Sequence, residues 1–134
     1  SRVVRTGKDL TIVATGIMVK KSLEVAEQLA TEGIQVTVID PRTISPLDIT
    51  STLDSVESTG RLMVVQEGPS HGGFINEVIA QVAGSRAFGS LKAPIKKVAG
   101  LNIPIPYAPQ LERAAVPQVE DIHAAATEIV KSWR

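Results

Sequence analysis

Short aliphatic runs separated by stretches of helical periodicity constrain this chain more than any other feature of its sequence. Leu10 to Ala14, Ile34 to Ile39 and Leu62 to Val65 are β-branched or apolar almost throughout, and Ile95 to Val98 reads as a further strand. Runs of this length without strict alternation predict strands covered on both faces, as in a parallel sheet. From Met18 to Glu32 the apolar residues Leu23, Ala26, Leu29 and Ala30 fall at helical spacing, and Gly33 is placed to end that helix in the left-handed region. Asp40 to Pro46 holds two prolines and predicts a loop. Ser45-Pro46-Leu47-Asp48 has the pattern of a helix start, with serine as cap and proline at the first helical position. That helix is expected to reach Ser58, with Gly60 closing it.

Phe74 to Ala83 predicts the next helix, and a last one is expected from Val116-Pro117 to about Lys131. Val3-Val4-Arg5 reads as a short edge strand, followed by a turn at Thr6-Gly7-Lys8-Asp9. Asn102 to Pro109 contains three prolines and is expected to be extended and irregular. Strands alternating with helices in this order predict an α/β fold, a mainly parallel sheet between helical layers. The 134 residues are one domain's worth, and no repeat or linker divides them.

With aromatics at 3% the core must be aliphatic, and with no cysteine there is neither disulfide nor thiol chemistry. Fourteen basic residues balance fourteen acidic ones. That argues against nucleic acid as a partner, since phosphate binding wants a basic excess. No apolar run approaches the ~20 residues of a membrane span, and no signal-peptide pattern opens the chain. It begins Ser1-Arg2-Val3 without methionine, the expectation for a fragment or processed product.

Candidate chemistry gathers at the expected carboxyl ends of the strands, where open α/β sheets bind ligands. Thr15, Asp40, Arg42, Glu67 and His71 make up that candidate crevice. The loop Gly68 to Gly73 has the glycine content to hold an anion at a helix start. It lacks both the G-x-G-x-x-G fingerprint and the Gly-Lys-Ser/Thr of a phosphate loop, so a tight turn that lets helix and sheet pack is the plainer reading. Glu67 is the best functional carboxylate candidate; the competing role is to cap backbone or pair with Arg42. His71 titrates near neutrality in principle, but a loop histidine is more often solvated. No acid–histidine spacing supports a metal, and no serine lies in a nucleophile elbow. His123, inside the last helix, is expected at the surface. No catalytic set emerges, because one carboxylate without a partner acid or base is insufficient. An independent anion- or nucleotide-binding module and a stand-alone hydrolase or transferase remain as competing readings.

Several segments in order carry a resemblance. They are Gly7-Lys8-Asp9-Leu10-Thr11-Ile12-Val13-Ala14, Val38 through Asp48, Thr59 through Glu67, Gly72-Gly73-Phe74 with Glu77, Leu91 through Ile95, Pro104 through Pro109 with Leu111-Glu112, and Val116 through Ile122. The series resembles the last third of the beta subunit of pyruvate dehydrogenase and related 2-oxo acid dehydrogenases, over nearly the whole chain. The resemblance implies the transketolase carboxy-terminal fold: a three-layer α/β/α arrangement around a five-stranded mixed sheet with the first strand antiparallel.

It also implies that thiamine diphosphate and magnesium sit between an alpha subunit and the amino-terminal domain of the beta subunit. The catalytic histidine belongs to that amino-terminal domain as well. No catalytic, cofactor-binding or metal-binding residue is therefore assigned to this chain. Its implied work is assembly with the amino-terminal domain of its own subunit, the alpha subunit, a second beta subunit and the dihydrolipoyl acyltransferase. The compartment implied is the bacterial cytoplasm, or the mitochondrial matrix or plastid in a eukaryote.

One position departs from the pattern. Pyruvate-type members often carry an acid where this chain has Lys92, and that acid is associated with a basic domain of the acyltransferase. Ala87-Phe88 through Pro94 looks more like acetoin-type members, while Pro117-Gln118-Val119-Glu120-Asp121-Ile122 looks more like the pyruvate type. Lys92, Ile103, Ile105, Tyr107 and Trp133 form the candidate partner face, with packing of the tail onto this same domain as the alternative.

Overall fold

The computed structural model describes residues 1–41, 48–69, 74–100 and 116–133. Five strands form one sheet: β1 (Arg2–Arg5), β2 (Leu10–Ala14), β3 (Val36–Asp40), β4 (Leu62–Pro69) and β5 (Lys96–Gly100), in the order β1-β3-β2-β4-β5. β1 runs antiparallel to β3, and every other neighbouring pair is parallel. Among the described residues four α-helices cover it: α1 (Ile17–Ala30), α2 (Thr50–Thr59), α3 (Phe74–Ala83) and α4 (Val119–Ser132), with a 3-10 segment at Arg86–Ser90. This is the expected mixed sheet between helical layers.

Alternation along the central strands sorts the core into two halves. Leu10, Ile12 and Ala14 of β2, Val36 and Val38 of β3, and Met63 and Val65 of β4 pack with Val25, Ala26 and Leu29 of α1 and Ile122, Ala126 and Ile129 of α4. The residues between them, Val13, Ile39, Leu62 and Val64, pack on the other face with Leu53 and Val56 of α2 and Ile75, Val78 and Val82 of α3. Most are wholly buried, and each large aliphatic side chain removed from water contributes roughly 1.5–3 kcal/mol. A run apolar at every position suits this sheet because both faces are dry.

α1 ends as a Schellman motif: Ile34 N–H donates to Leu29 O at 3.0 Å and Gly33 N–H to Ala30 O at 3.1 Å, with Gly33 at φ 82°. The expected left-handed glycine is there, three residues past the last helical one.

Several boundaries depart from the sequence reading: β3 starts at Val36 rather than Ile34, β5 runs from Lys96 to Gly100 rather than from Ile95 to Val98, and four further differences follow. α2 begins at Thr50 rather than near Ser45-Pro46; those two residues lie outside the described ones, but Asp48 and Ile49 are described and not helical. Ile49 stands at the N-cap position without a side-chain cap, and Asp48 before it serves the helix start, its Oδ1 accepting the Thr50 N–H at 3.1 Å. β4 runs on past the expected end at Val65 to Pro69, so Glu67 and the first two residues of the expected loop belong to the strand; a register shift after Val65 carries the pairing to Pro69 and Gly100. α4 starts at Val119 instead of Val116. Gln118 N–H donates to Asp121 Oδ2 at 2.8 Å in a capping box, and Lys21 Nζ donates to Pro117 O at 3.0 Å. The 3-10 segment was not anticipated; Ser85 Oγ opens it by accepting the Ala87 N–H at 3.2 Å.

Candidate functional site

At the carboxyl edge, β2 lies between β3 and β4. The chain leaves β2 through α1 to β3 on one side, then returns through α2 to β4 on the other. The strand order reverses there, which makes it the switch point of the sheet. Thr15, Asp40 and Glu67 stand at the ends of these three adjacent strands, and Arg42 and His71 lie outside the described residues. Thr15 is half-buried and its carbonyl accepts the Met18 N–H at 3.0 Å. Asp40 is half-buried and in register with Arg2. Glu67 is exposed, and among the described residues it enters no ion pair.

Neighbouring Gln66, which the sequence reading passed over, is buried, and its Oε1 accepts the Ile75 N–H at 3.4 Å, tying the strand end to α3. Among the described residues no group of three or more His, Cys, Asp or Glu could hold a metal ion.

The opposite edge is organised around Arg61, which is 7% exposed. Its Nη1 donates to Asp9 O at 3.0 Å and its Nη2 to Trp133 O at 2.9 Å, so one guanidinium ties the entry to β2 to the end of α4. Gly60 beside it has φ 73°, and its carbonyl accepts the Lys92 N–H at 2.7 Å. The Lys92 stem lies over Gly60, so close that a Cβ there would stand 2.9 Å from the lysine Cε.

Beside these contacts a groove of about 460 Å³ lies between Trp133 and the segment Phe88, Leu91, Lys92, Pro94 and Ile95. A hollow of about 230 Å³ continues it past Trp133 to Lys96 and Glu128, which pair at 3.7 Å. Phe88 is 60% exposed and Trp133 48%. Lys92 and Trp133, both expected on a partner face, thus meet on one groove; Ile103, Ile105 and Tyr107 lie outside the described residues. Phe88 was not singled out as a partner residue, and only its exposure on a 3-10 turn reveals it.

Two further polar arrangements were not expected. His123 lies at the surface as expected, but it is paired: it is half-buried, with Nε2 2.9 Å from Glu32 Oε2, linking α4 to the end of α1. Arg86 bonds Glu57, and its Nη2 lies 2.8 Å from Asp54 Oδ1. Glu57 first, then Asp54, raises the affinity of the exposed guanidinium for its proton.

Comparison with known proteins supplies the context for both edges. Residues 1–122 match the family model described as transketolase, C-terminal domain. The beta subunit of acetoin:2,6-dichlorophenolindophenol oxidoreductase from Cupriavidus necator is 45% identical over 134 residues, all of this chain and 39% of that one. The mitochondrial pyruvate dehydrogenase E1 component subunit beta-1 of Arabidopsis thaliana is 44% identical over 126 residues, 94% of this chain and 34% of that one. The pyruvate dehydrogenase E1 component subunit beta of Rhizobium meliloti is 41% identical over 122 residues, covering 91% and 26%. This chain therefore spans about a quarter to two-fifths of the length of these relatives.

Among solved structures, a split-gene transketolase in an inactive beta4 tetramer superposes with a TM-score of 0.85 at 30% identity, covering 99% of this chain and 43% of that one. No helix among the described residues is long and apolar enough to cross a membrane. Sheet order, helical layers and family match coincide: the chain belongs to the transketolase C-terminal domain family.

Proposed function

We propose that this chain is the carboxy-terminal assembly domain of the beta subunit of a thiamine-diphosphate-dependent dehydrogenase that decarboxylates a 2-oxo acid, with pyruvate as substrate, and passes the acyl group to lipoyl groups. The observation that carries the reading is identity of 41–44% to beta subunits of pyruvate dehydrogenase over 91–94% of the chain, beside 45% to the beta subunit of an acetoin oxidoreductase over all of it. A domain spanning 26–39% of each relative leaves most of the subunit to supply the reacting groups. In this reading thiamine diphosphate and magnesium belong to the parent enzyme and are held outside this domain. The carboxyl edge at Thr15, Asp40 and Glu67 supports neighbouring polypeptide without binding the cofactor.

The partners are the amino-terminal domain of the same subunit, an alpha subunit, a second beta subunit and a dihydrolipoyl acyltransferase. The groove at Lys92 and Trp133 is the docking face. The parent works in the bacterial cytoplasm, or in the mitochondrial matrix or plastid of a eukaryote.

A second reading, an acetoin dehydrogenase, is favoured by the 45% match across all 134 residues. Size-exclusion chromatography separates assembly from independence. Joined to the amino-terminal part of a relative's beta subunit, the chain should co-elute with the alpha subunit, and the joined enzyme should oxidise pyruvate in preference to acetoin. Acetoin preference would select the second reading; failure to co-elute would remove both.

A further inference from the structure

We propose that the groove between Phe88 and Trp133 binds a partner polypeptide segment carrying an apolar side chain next to a carboxylate. The inference deepens the reading of this face as a docking surface and rests on it.

The apolar half of the argument is the wall itself. Phe88 and Trp133 stand 60% and 48% exposed over Leu91, Pro94 and Ile95. In a chain with one tryptophan and two phenylalanines, two of its three such rings are spent on this one surface. Exposed aromatics around a concavity are the composition of interface anchors.

The charged half is the sign of the surrounding field. Among the described residues Lys92 is the one charged side chain lining the groove, and no carboxylate of theirs lies within ion-pair distance of it. Its stem is held on Gly60, so the ammonium stays at the rim. Arg61, beneath Trp133, meets two neutral carbonyls, and its buried Nε has no partner among the described residues. No carboxylate among the described residues pairs with it either. A desolvated cation without a counter-charge projects a positive potential that water screens poorly. Lys96 adds no excess, because Glu128 faces it at 3.7 Å.

A basic segment is repelled by this arrangement, and a neutral apolar one leaves the field unmatched. A second copy in a two-fold interface centred on the groove would bring Lys92 and Arg61 towards their own equivalents. An acidic apolar segment satisfies both the wall and the field.

The chain reports on its own groove, because Trp133 is its one tryptophan. Three synthetic peptides, a pair of leucines flanked by aspartates, by asparagines or by lysines, are titrated into the 134-residue chain while tryptophan emission is followed. The aspartate peptide should shift the emission to the blue and bind on the order of tenfold more tightly than the asparagine peptide. That gap should shrink as salt is raised. Lys92→Glu should invert the order of the aspartate and lysine peptides. Lys92→Gln, which keeps an aliphatic stem over Gly60, should remove the preference with an unchanged melting temperature.

Equal affinity for the three peptides, or preference of the parent chain for lysine, would overturn the inferred partner chemistry while leaving a docking surface. Absence of binding by all three would overturn the docking surface as well. A dimer in sedimentation equilibrium that Phe88→Ser disperses would assign the groove to a second copy and overturn the proposal.

Discussion

The hydroxyl of Thr37 is bonded to both polar groups of Gly7: it accepts the Gly7 N–H at 2.8 Å and donates to the Gly7 carbonyl at 2.7 Å. This double contact pins the turn after β1 onto β3, the strand with which β1 pairs antiparallel. The approach requires glycine, since a Cβ at position 7 would lie 2.4 Å from the backbone of Gln35 and Val36. Thr37→Val leaves both Gly7 groups unmatched and should cost roughly 1–3 kcal/mol in urea unfolding. Gly7→Ala should cost more and raise hydrogen exchange selectively in β1. Equal protection of β1 in parent and variant would contradict this.

Arg61 should be a structural arginine whose replacement loosens the end of α4. Arg61→Met keeps the aliphatic bulk and deletes the bonds to Asp9 O and Trp133 O. The expected loss is roughly 2–3 kcal/mol, with red-shifted, more quenchable Trp133 emission. An unchanged melting temperature would show that the buried guanidinium's desolvation cancels its bonds.

Gly60→Ala tests the turn that carries Lys92. The residue sits at φ 73°, and the new methyl would meet the lysine stem. Strain of about 1–2 kcal/mol is expected from the backbone alone. Lys92→Ala in the same background should relieve the steric part but not the backbone part, a non-additivity that a double-mutant cycle reads directly.

Asp48 should give α2 an acid-sensitive start. The Thr50 amide holds its carboxyl below the ordinary carboxylate value; desolvation opposes this, and the N-terminal ammonium adds to it. A folded-state pKa below the unfolded one means that the contribution is present above the unfolded value and disappears as pH falls through the folded one. In an NMR titration the Thr50 amide should therefore shift with a midpoint below that of an unperturbed aspartate. Asp48→Asn should abolish the transition, and a midpoint at the ordinary value would contradict the cap.

The sheet was legible because its central strands are dry on both sides, so an unbroken aliphatic run has one economical place to go. The α3 limits, Phe74 and Ala83, were legible for a similar reason: an apolar periodic stretch with one clear length. The start of α2 was not, because Ser45-Pro46 and Asp48 both satisfy capping chemistry, and only the bond to Thr50 picks Asp48. Nor was the buried hydroxyl chain in which Thr11 Oγ1 lies 2.5 Å from Ser55 Oγ and 2.8 Å from Thr59 Oγ1. Those residues are 44 and 48 positions apart, and nothing local marks them as neighbours.

The candidate sites divide in the same way. Thr15, Asp40 and Glu67 could be chosen as strand ends, but their adjacency needed the order β3-β2-β4. Lys92 and Trp133 drew notice separately, whereas the groove that unites them shows only in the fold, where Arg61 bonds the Trp133 carbonyl and the Gly60 carbonyl accepts the Lys92 N–H.

The most direct measurement is turnover. The isolated 134-residue chain is supplied with thiamine diphosphate, magnesium, pyruvate or acetoin, and dichlorophenolindophenol as electron acceptor, beside the same chain joined to the amino-terminal part of a relative's beta subunit and mixed with alpha subunit. Dye reduction by the complete assembly and none by the isolated chain is the predicted result. Sustained reduction by the isolated chain would contradict it, because the reacting groups would then have to lie within these residues.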